Sequence, residues 1–311
     1  MSEFSHQPVM LAEVLAVLRP RAGKRFFDGC CGGAGHSAAI LEASSPTGFL
    51  FACDRDGDAV AVATERLARF AGRFELRRLN FAEIGDWIPR ASCAGALLDL
   101  GVSSHQLDTG IRGFSFQQDG PLDMRMDRRQ DATAADLVNT LSAEELATIF
   151  WELGDERESR RIARALVRER SMRRFETTLQ LADLVERVCP RQGRRAHPAT
   201  KVFQALRIQV NDELGSLKQG LRAAFDVLEP GGRLAVITFQ SLEDRLVRNF
   251  MRRECRDYDL PPGAEDDLPH LRTARPPRGQ LVHRKALLPT EVEQQTNPRS
   301  RSAQLRVLEK L

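Results

Sequence analysis

A glycine-rich run and two aspartates early in the chain have the residue types and spacing of a site for an adenosine-containing cofactor. The run Phe27–His36, FDGCCGGAGH, stands where a β-rich segment gives way to a helical pattern. Glycines at such a junction let the backbone approach a ligand closely at a helix amino terminus. Asp54 ends the next β-rich segment, where a carboxylate can accept hydrogen bonds from both hydroxyls of a ribose. A glycine-rich turn alone is a weak signal, and a purely structural turn is the alternative.

The carboxylate beside the glycine run distinguishes two classes of adenosine cofactor. Asp28 would repel a pyrophosphate but would tolerate the ammonium and sulfonium groups of S-adenosylmethionine. Two apparent closing strands at the other end of the chain point the same way, because a terminal hairpin is common in methyltransferases and unusual in dehydrogenases. The sequence therefore favours a methyl donor over NAD.

Asp99 ends a fourth β-rich segment and is the candidate proton acceptor. Ligands of open α/β sheets bind at the carboxyl ends of the strands, so we expect Asp99 to face the cofactor. The exocyclic amine of cytosine is a poor nucleophile, because its lone pair is delocalised into the ring. Its methylation needs a hydrogen-bond acceptor that also receives a proton. A carboxylate that caps the following turn is the alternative; His36 and His105 are weaker candidates for the base.

A stripe of arginines in the middle of the chain suggests a phosphate partner. Steps of about 100° per residue along the helical pattern near 155–170 place five arginines within an arc of roughly 100°: Arg157, Arg160, Arg161, Arg164 and Arg168. Ile162 and Leu166 point away. Five cations without an interleaved acid repel one another and suggest nucleic-acid phosphates, although a solvated face accounts for such a stripe equally well. We predict Arg160, Arg161 and Arg164 as substrate contacts.

The segment Arg112–Asp127, RGFSFQQDGPLDMRMD, follows the fourth strand and is predicted to form a lip over the site. An enzyme that modifies a base must take that base out of its stack. Phe114 and Phe116 either stack on the splayed base or anchor a small core. Asn211, further along the chain, either hydrogen-bonds the base or caps a turn, and we predict it as a substrate contact.

The elements that must position these residues alternate between strand and helix, stop, and then resume. Such alternation implies a parallel sheet with crossover helices. Strands are predicted at 25–28, 48–54, 74–79 and 94–100, with a helix at 56–70. Three helical segments follow, near 142–152, 155–170 and 177–188, with a break at Cys189–Gly193. The alternation resumes with one or two helices over 199–228, a turn at 229–232, a strand at 233–239, a helix at 241–255 and closing strands at 280–288 and 302–309.

This pattern predicts an α/β fold, a doubly wound Rossmann-like sheet with an inserted all-helical domain. The sheet domain is predicted to be discontinuous, formed by residues 1–106 and 198–311. The inserted helical domain takes residues 107–197 and carries the predicted RNA contacts. At 311 residues the chain exceeds the size at which one core stops growing, which agrees with a domain that carries an insertion.

Composition and cysteine usage exclude several other classes. No stretch approaches the roughly 18 apolar residues of a membrane span, and the first residues, MSEFSHQPVM, lack the basic and apolar regions of a signal peptide. The six cysteines form no CxxC pair, so neither disulfides nor a metal site are indicated. We expect a cytoplasmic protein without a membrane partner.

Several long strings of residues resemble one family, the N4-cytosine methyltransferases that modify a decoding-centre cytidine of 16S ribosomal RNA. The strings are long, dispersed over nearly the whole chain, and highly specific. They are HQPVML (6–11), the glycine run, LLDLGVSSHQLD (97–108), the 112–127 segment, HPATKVFQALRIQVNDEL (197–214), SLEDR (241–245) and NPRSRSAQLRV (297–307).

The resemblance implies a class I methyltransferase that uses S-adenosylmethionine and acts on 16S ribosomal RNA, within the small ribosomal subunit. The family's cofactor contacts carry over, in the order of the chain, to Ala34, Gly35, His36, Asp54, Phe81, Asp99 and Gln106. The sequence departs from the family pattern at three places: Cys30-Cys31, His105 and Gln240. A histidine is usual before SLEDR, so Gln240 puts any catalytic role for a histidine there in doubt.

Two rival functions use the same features differently. A DNA amine methyltransferase usually carries Pro-Pro-Tyr or Pro-Pro-Phe after the fourth-strand acid, whereas this chain has Leu100-Gly101-Val102-Ser103, so we do not expect DNA as a partner. A non-catalytic ribosome-binding or assembly protein with a nucleotide-type fold would bind little cofactor, and mutation of Asp99 would leave its function unchanged.

Overall fold

The computed structural model describes residues 8–191, 193, 196–261, 263 and 266–311. His6 and Gln7 of the amino-terminal string and Gln192 of the predicted break lie outside the described residues. The chain forms two units, one made of Met1–Gly101 with Gly215–Leu311 and the other of Val102–Leu214. The sequence predicted boundaries near 107 and 197, so the predicted insertion is shorter than the second unit of the structure.

The described elements follow one another in the order expected of a sheet interrupted by helices. The strands are β1 (Arg25–Asp28), β2 (Phe49–Asp54), β3 (Phe74–Arg78), β4 (Cys93–Asp99), β5 (Leu228–Thr238), β6 (Tyr258–Asp259), β7 (Thr273–Ala274), β8 (Gly279–Leu281) and β9 (Gln304–Lys310). The helices are α1 (Leu11–Leu18), α2 (Gly35–Ala43), α3 (Gly57–Leu67), α4 (Ser104–Asp108), α5 (Ala134–Thr140), α6 (Ala143–Gly154), α7 (Ser159–Arg170), α8 (Thr178–Val188), α9 (Ala199–Val210), α10 (Glu213–Asp226), α11 (Ser241–Glu254) and α12 (Glu291–Thr296).

The first unit is built on a seven-stranded sheet in the order β3-β2-β1-β4-β5-β9-β8. The first five strands in this order are parallel, while β9 runs antiparallel to β5 and β8 antiparallel to β9. Successive residues such as Phe26 and Phe27 point to opposite faces. Phe26 belongs to a core with α1, α2 and α3, and Phe27 belongs to a core with α10 and α11. The doubly wound α/β prediction is confirmed.

Some elements of the first unit differ from the sequence predictions. The closing strand predicted at 280–288 is only three residues long. The turn predicted at 229–232 lies inside β5, where the register with β4 shifts between Cys93 and Gly95 and the extra residues bulge out. Helix α1 was not predicted. It begins after Met10, whose backbone is left-handed, and Met10 N donates to Oε1 of Glu293 on α12 at 2.7 Å.

The second unit is a helical bundle with its own core. Helices α4, α5, α6 and α8 each begin with a capping box. The residues that cap them are, in order, Ser103, Thr133, Ser142 and Thr177. Helix α9 was assigned by the sequence to the sheet domain. Its apolar residues Val202 and Leu206 instead share a core with α6, α7 and α8, which extends the helical unit to residue 214.

Candidate active site

The glycine run connects β1 to α2 and keeps its backbone close to neighbouring groups. Gly32 has a φ of 49°, which favours glycine. A Cβ at Gly35 would lie 2.3 Å from Cγ of Pro8, so a larger residue there would displace the amino-terminal segment. Ala34 precedes α2 in a left-handed conformation. The two predicted contacts Ala34 and Gly35 therefore lie at the helix amino terminus, as the pattern indicated.

Asp28 and Asp54 hold this loop through their carboxylates. Asp28 accepts hydrogen bonds from the Ser37 hydroxyl at 2.6 Å and from Cys30 N at 3.3 Å. Asp54 accepts from Gly32 N and from Asp56 N, each at 2.9 Å. Burial raises the pKa of both carboxyls to about 6, although the hydrogen bonds oppose it. The loop-ordering role of Asp54 was not predicted, because it depends on the distance between adjacent strands.

Asp99 lies at the carboxyl end of β4, as predicted. Burial raises the pKa of its carboxyl well above the usual range, and the negative charges of Asp28 and Glu243 raise it further. Oδ1 of Asp99 is buried and has no hydrogen-bond partner among the described residues. Glu243, which accepts from Phe239 N at 2.9 Å, was missed by sequence reasoning, although the SLEDR string contains it.

His36 connects Asp99 to the amino-terminal segment. Its side chain is buried, its Nε2 lies 2.9 Å from Val9 O, and its Nδ1 lies 3.5 Å from Oδ2 of Asp99. The ring is thus directed at protein groups on both sides. A cofactor contact at this position would be made by its backbone.

Phe81, predicted to lie beside the adenine, begins a short 3₁₀ helix that Asn80 caps. The Phe81 side chain is buried, and its ring packs against α10, where a Cβ at Gly220 would lie 2.1 Å from it. Gln106 belongs to the other unit, on α4. The side-chain Oε1 of Gln106 accepts from Ser103 N at 3.0 Å, and the backbone N–H of Gln106 donates to the Ser103 hydroxyl at 3.2 Å. Each side chain therefore has a structural role of its own.

In the helical unit, α7 begins at Ser159 and carries four of the five arginines of the predicted stripe, because Arg157 precedes the helix. Arg160, Arg161 and Arg164 are exposed, while Ile162 and Leu166 are fully buried. Arg164 Nε donates to Arg160 O at 3.2 Å. The helix is therefore anchored by its apolar face and exposes these three arginines on the other side.

Asn211 is placed differently from its predicted role as a substrate contact. It is 1% exposed, and its Oδ1 accepts from Met126 N at 2.8 Å. Its Nδ2 donates to Met124 O at 2.8 Å and to Arg207 O at 2.9 Å. These bonds occupy both ends of the amide. Asn211 therefore positions the 112–127 segment. The structure does not favour the predicted hydrogen bond from Asn211 to a base.

The aromatic residues of the 112–127 segment belong to the core of the helical unit. Phe114 is buried in that core. Phe116 makes an edge contact with Phe203, with ring centroids 4.8 Å apart, and a tilted contact with His197 at 4.6 Å. Of the two alternatives, the structure favours anchors of a small core.

Three further features were considered at the sequence level: a metal site, a membrane span and disulfide bonds. Among the described residues, no group of three histidine, cysteine or acidic side chains could hold a metal ion. None of the helices described is both long and apolar enough to cross a membrane. All six cysteines are free thiols.

The chain is similar to several known proteins. A family model described as the MraW methylase family matches residues 3–311. The ribosomal RNA small subunit methyltransferase H of Syntrophotalea carbinolica is 51% identical over 99% of this chain and 98% of its own length. That of Geobacter sulfurreducens is 50% identical over 99% of both chains. A solved putative rRNA methylase from Clostridium thermocellum is 11% identical, with a TM-score of 0.45, over 98% of both chains.

Proposed function

The chain belongs to the MraW methylase family, and from this premise we propose that it transfers a methyl group from S-adenosylmethionine to the exocyclic N4 amine of a decoding-centre cytidine in 16S ribosomal RNA. It is a methyltransferase with a class I fold, whose sheet carries the antiparallel β9 beside β5. The relatives named as ribosomal RNA small subunit methyltransferase H support the substrate class. Cytosine N4 follows from the resemblance of the sequence strings.

One observation supports Asp99 as the hydrogen-bond acceptor for the amine. Oδ1 of Asp99 is buried without a hydrogen-bond partner among the described residues, at the carboxyl end of a central strand where ligands of such sheets bind. A buried oxygen without a partner costs about 1–3 kcal/mol. An amine N–H donated to Oδ1 would remove that cost and draw electron density towards the amine nitrogen.

The residues present fit the cofactor. When bound, S-adenosylmethionine supplies an electrophilic methyl group. Asp54 would hold its ribose, with Ala34, Gly35 and the backbone of His36 along the glycine run, and Phe81 beside the adenine. The carboxylate of Asp28 would lower the energy of a cationic ligand. Gln106 is a further contact that the resemblance implies.

The substrate would be held mainly through its phosphates. Arg160, Arg161 and Arg164 are exposed on one face of α7, and arginine suits bidentate phosphate contacts. We place the substrate within the small ribosomal subunit, which would make the cytoplasm the place of action.

Mass spectrometry of ribosomal RNA nucleosides from a deletion strain tests the function. N4-methylated cytidine should disappear and return when the wild-type gene is supplied, but not when Asp99→Asn is supplied at equal abundance. Persistence of the modification without the gene would refute the substrate. Restoration by Asp99→Asn would count against Asp99 as the proton acceptor and would leave the rival, a non-catalytic assembly protein, standing.

A further inference from the structure

The hydrogen bond between His36 and the amino-terminal segment fixes where the imidazole carries its hydrogen. Nε2 lies 2.9 Å from Val9 O, and a carbonyl oxygen can only accept. Nε2 is therefore the donor. In the neutral ring the other nitrogen, Nδ1, then holds a lone pair, and this nitrogen lies 3.5 Å from Oδ2 of Asp99.

A lone pair and an ionised carboxylate that face each other repel, whereas a proton on either atom turns the contact into a hydrogen bond. The surroundings of Asp99 favour a proton on the carboxyl. Burial raises its pKa well above the usual range, and the negative charges of Asp28 on β1 and Glu243 on α11 act in the same direction. Among the described residues, the Cys30 thiol also interacts with Asp99, and burial raises the pKa of that thiol, so it adds no negative charge.

Resting on the function proposed above, we propose that His36 is the final acceptor of the proton released in methyl transfer, and that Asp99 relays it. The amine N–H bond breaks as Oδ1 of Asp99 gains that hydrogen. At the same time Oδ2 gives up its hydrogen to Nδ1 of His36. Asp99 is a neutral acid before and after the step, and the positive charge appears on the imidazole.

The geometry supports both ends of this relay. On the substrate side, Oδ1 is the buried oxygen of Asp99 that has no hydrogen-bond partner in the described part of the chain. On the other side, an imidazolium at His36 would donate from both nitrogens, to Val9 O and to Asp99. Hydrogen bonds from a charged donor are roughly twice as strong as neutral ones. The product state of the relay is therefore stabilised by the existing bond to Val9 O and by an Nδ1–Oδ2 contact of 3.5 Å that would shorten once the ring is charged.

The first test reads the resting state without cofactor or RNA. Nitrogen-15 NMR of the histidine rings in the wild-type protein should show one buried ring with hydrogen on Nε2 and a lone pair on Nδ1 at neutral pH. Its resonances should shift in Asp99→Asn. A ring with hydrogen on Nδ1, or one already charged at neutral pH, would overturn the relay.

The second test uses His36→Gln, because the glutamine amide can still donate to Val9 O but cannot accept a proton from Asp99. The single-turnover rate should fall by about 10²-fold or more, while S-adenosylmethionine affinity stays within a few fold. The remaining rate should rise steeply with pH, because Asp99 must then lose its proton to solvent before it can accept another. The exposed His283→Gln is the matched control and should behave as wild type.

The outcomes separate the relay from a structural role and from the proposed function. A uniform loss of rate at every pH would show that His36 only positions Asp99 and would overturn the relay. If His36→Gln does not fold, the NMR measurement on the wild type remains, and a hydrogen on Nδ1 or a charged ring at neutral pH would still overturn the relay. Absence of methylation by the wild-type protein would refute the proposed function, whereas the ring tautomer would be measured regardless.

Discussion

The backbone N–H of Gly32 donates to Oδ2 of Asp54 at 2.9 Å, so the carboxylate expected to bind a ribose also holds the glycine loop in place. Asp54→Ala removes both functions at once. Loss of two charge-assisted hydrogen bonds, at about 1.5–3 kcal/mol each, would weaken cofactor binding ten-fold or more. Isothermal titration with S-adenosylmethionine measures this. Glu65→Ala, an exposed change on α3, is the control, and unchanged affinity in a folded Asp54→Ala protein would contradict the assignment.

Asp99→Asn keeps the size of the side chain but removes proton acceptance. We expect the single-turnover rate to fall by about 10²–10⁴-fold, with cofactor affinity little changed. Rapid-quench assays on saturating RNA and cofactor measure the rate. A rate close to that of the wild type would leave Asp99 as a positioning residue only.

The arginine face of α7 should govern the salt dependence of RNA binding. If Arg160, Arg161 and Arg164 each neutralise one phosphate, changing all three to glutamine should flatten the slope of log affinity against log salt by about 2–3 units. Cofactor affinity should not change. Filter binding at several salt concentrations measures the slope.

A matched triple change in the other unit controls for net charge. Arg21, Arg69 and Arg90 are exposed, and their replacement by glutamine removes the same charge from a surface with no predicted RNA contact. An equal loss of slope in both triple variants would show a general charge effect, and the α7 face would then be only a solvated surface.

Asn211→Ala should destabilise the helical unit. It leaves Met126 N and Met124 O without their side-chain partner, at a cost of about 1–3 kcal/mol for each buried group. Urea denaturation measures the free energy of unfolding, and the exposed Gln209→Ala is the control. If Asn211→Ala kept wild-type stability but lost activity on RNA, Asn211 would be a substrate contact after all.

Asp28 and Asp54 should make the protein without cofactor less stable as the pH rises from about 4 to 6. Burial raises the pKa of each from 3.8 to about 6 in the folded state, so protonation favours folding. The contribution is complete below the unfolded pKa and is lost as the pH rises through the folded one. The loss is on the order of 3 kcal/mol for each group.

Other carboxyls, such as Asp123 and Glu309, have lowered pKa values and oppose this trend. The contribution of Asp28 is therefore measured as the difference between the wild type and a variant. Asp28→Asn should flatten the dependence of unfolding free energy on pH relative to the wild type across this range. Parallel curves for the two proteins would show that Asp28 does not titrate there.

Much of the sheet was predictable because its central strands are short apolar runs that end in aspartate or precede glycine, as in β1 and β4. Helix α1 was not, since its first turn depends on a hydrogen bond from Met10 to Glu293, which is distant in sequence. Helix α9 was assigned to the wrong unit because an apolar stripe shows that a face is buried but not what buries it.

The position of a candidate site residue was predictable where it ends a strand, as Asp99 does. It was not predictable where a contact joins segments that approach only in the folded chain. The Val9 carbonyl behind His36 and the Asn211 amide beneath Met124 are of this kind. Both involve backbone groups, for which side-chain patterns give no signal.

The sheet of the first unit is discontinuous in sequence, because β4 precedes residues 102–214 and its neighbour β5 follows them. A ribosome delivers the chain from its amino terminus, so the nascent chain carries an uncovered edge of β4 throughout synthesis of the helical unit. Such an edge is a template for pairing with the wrong strand. The helical unit is continuous and can complete its own core in that interval. The newly made chain should therefore be most prone to aggregation between the emergence of β4 and that of β5.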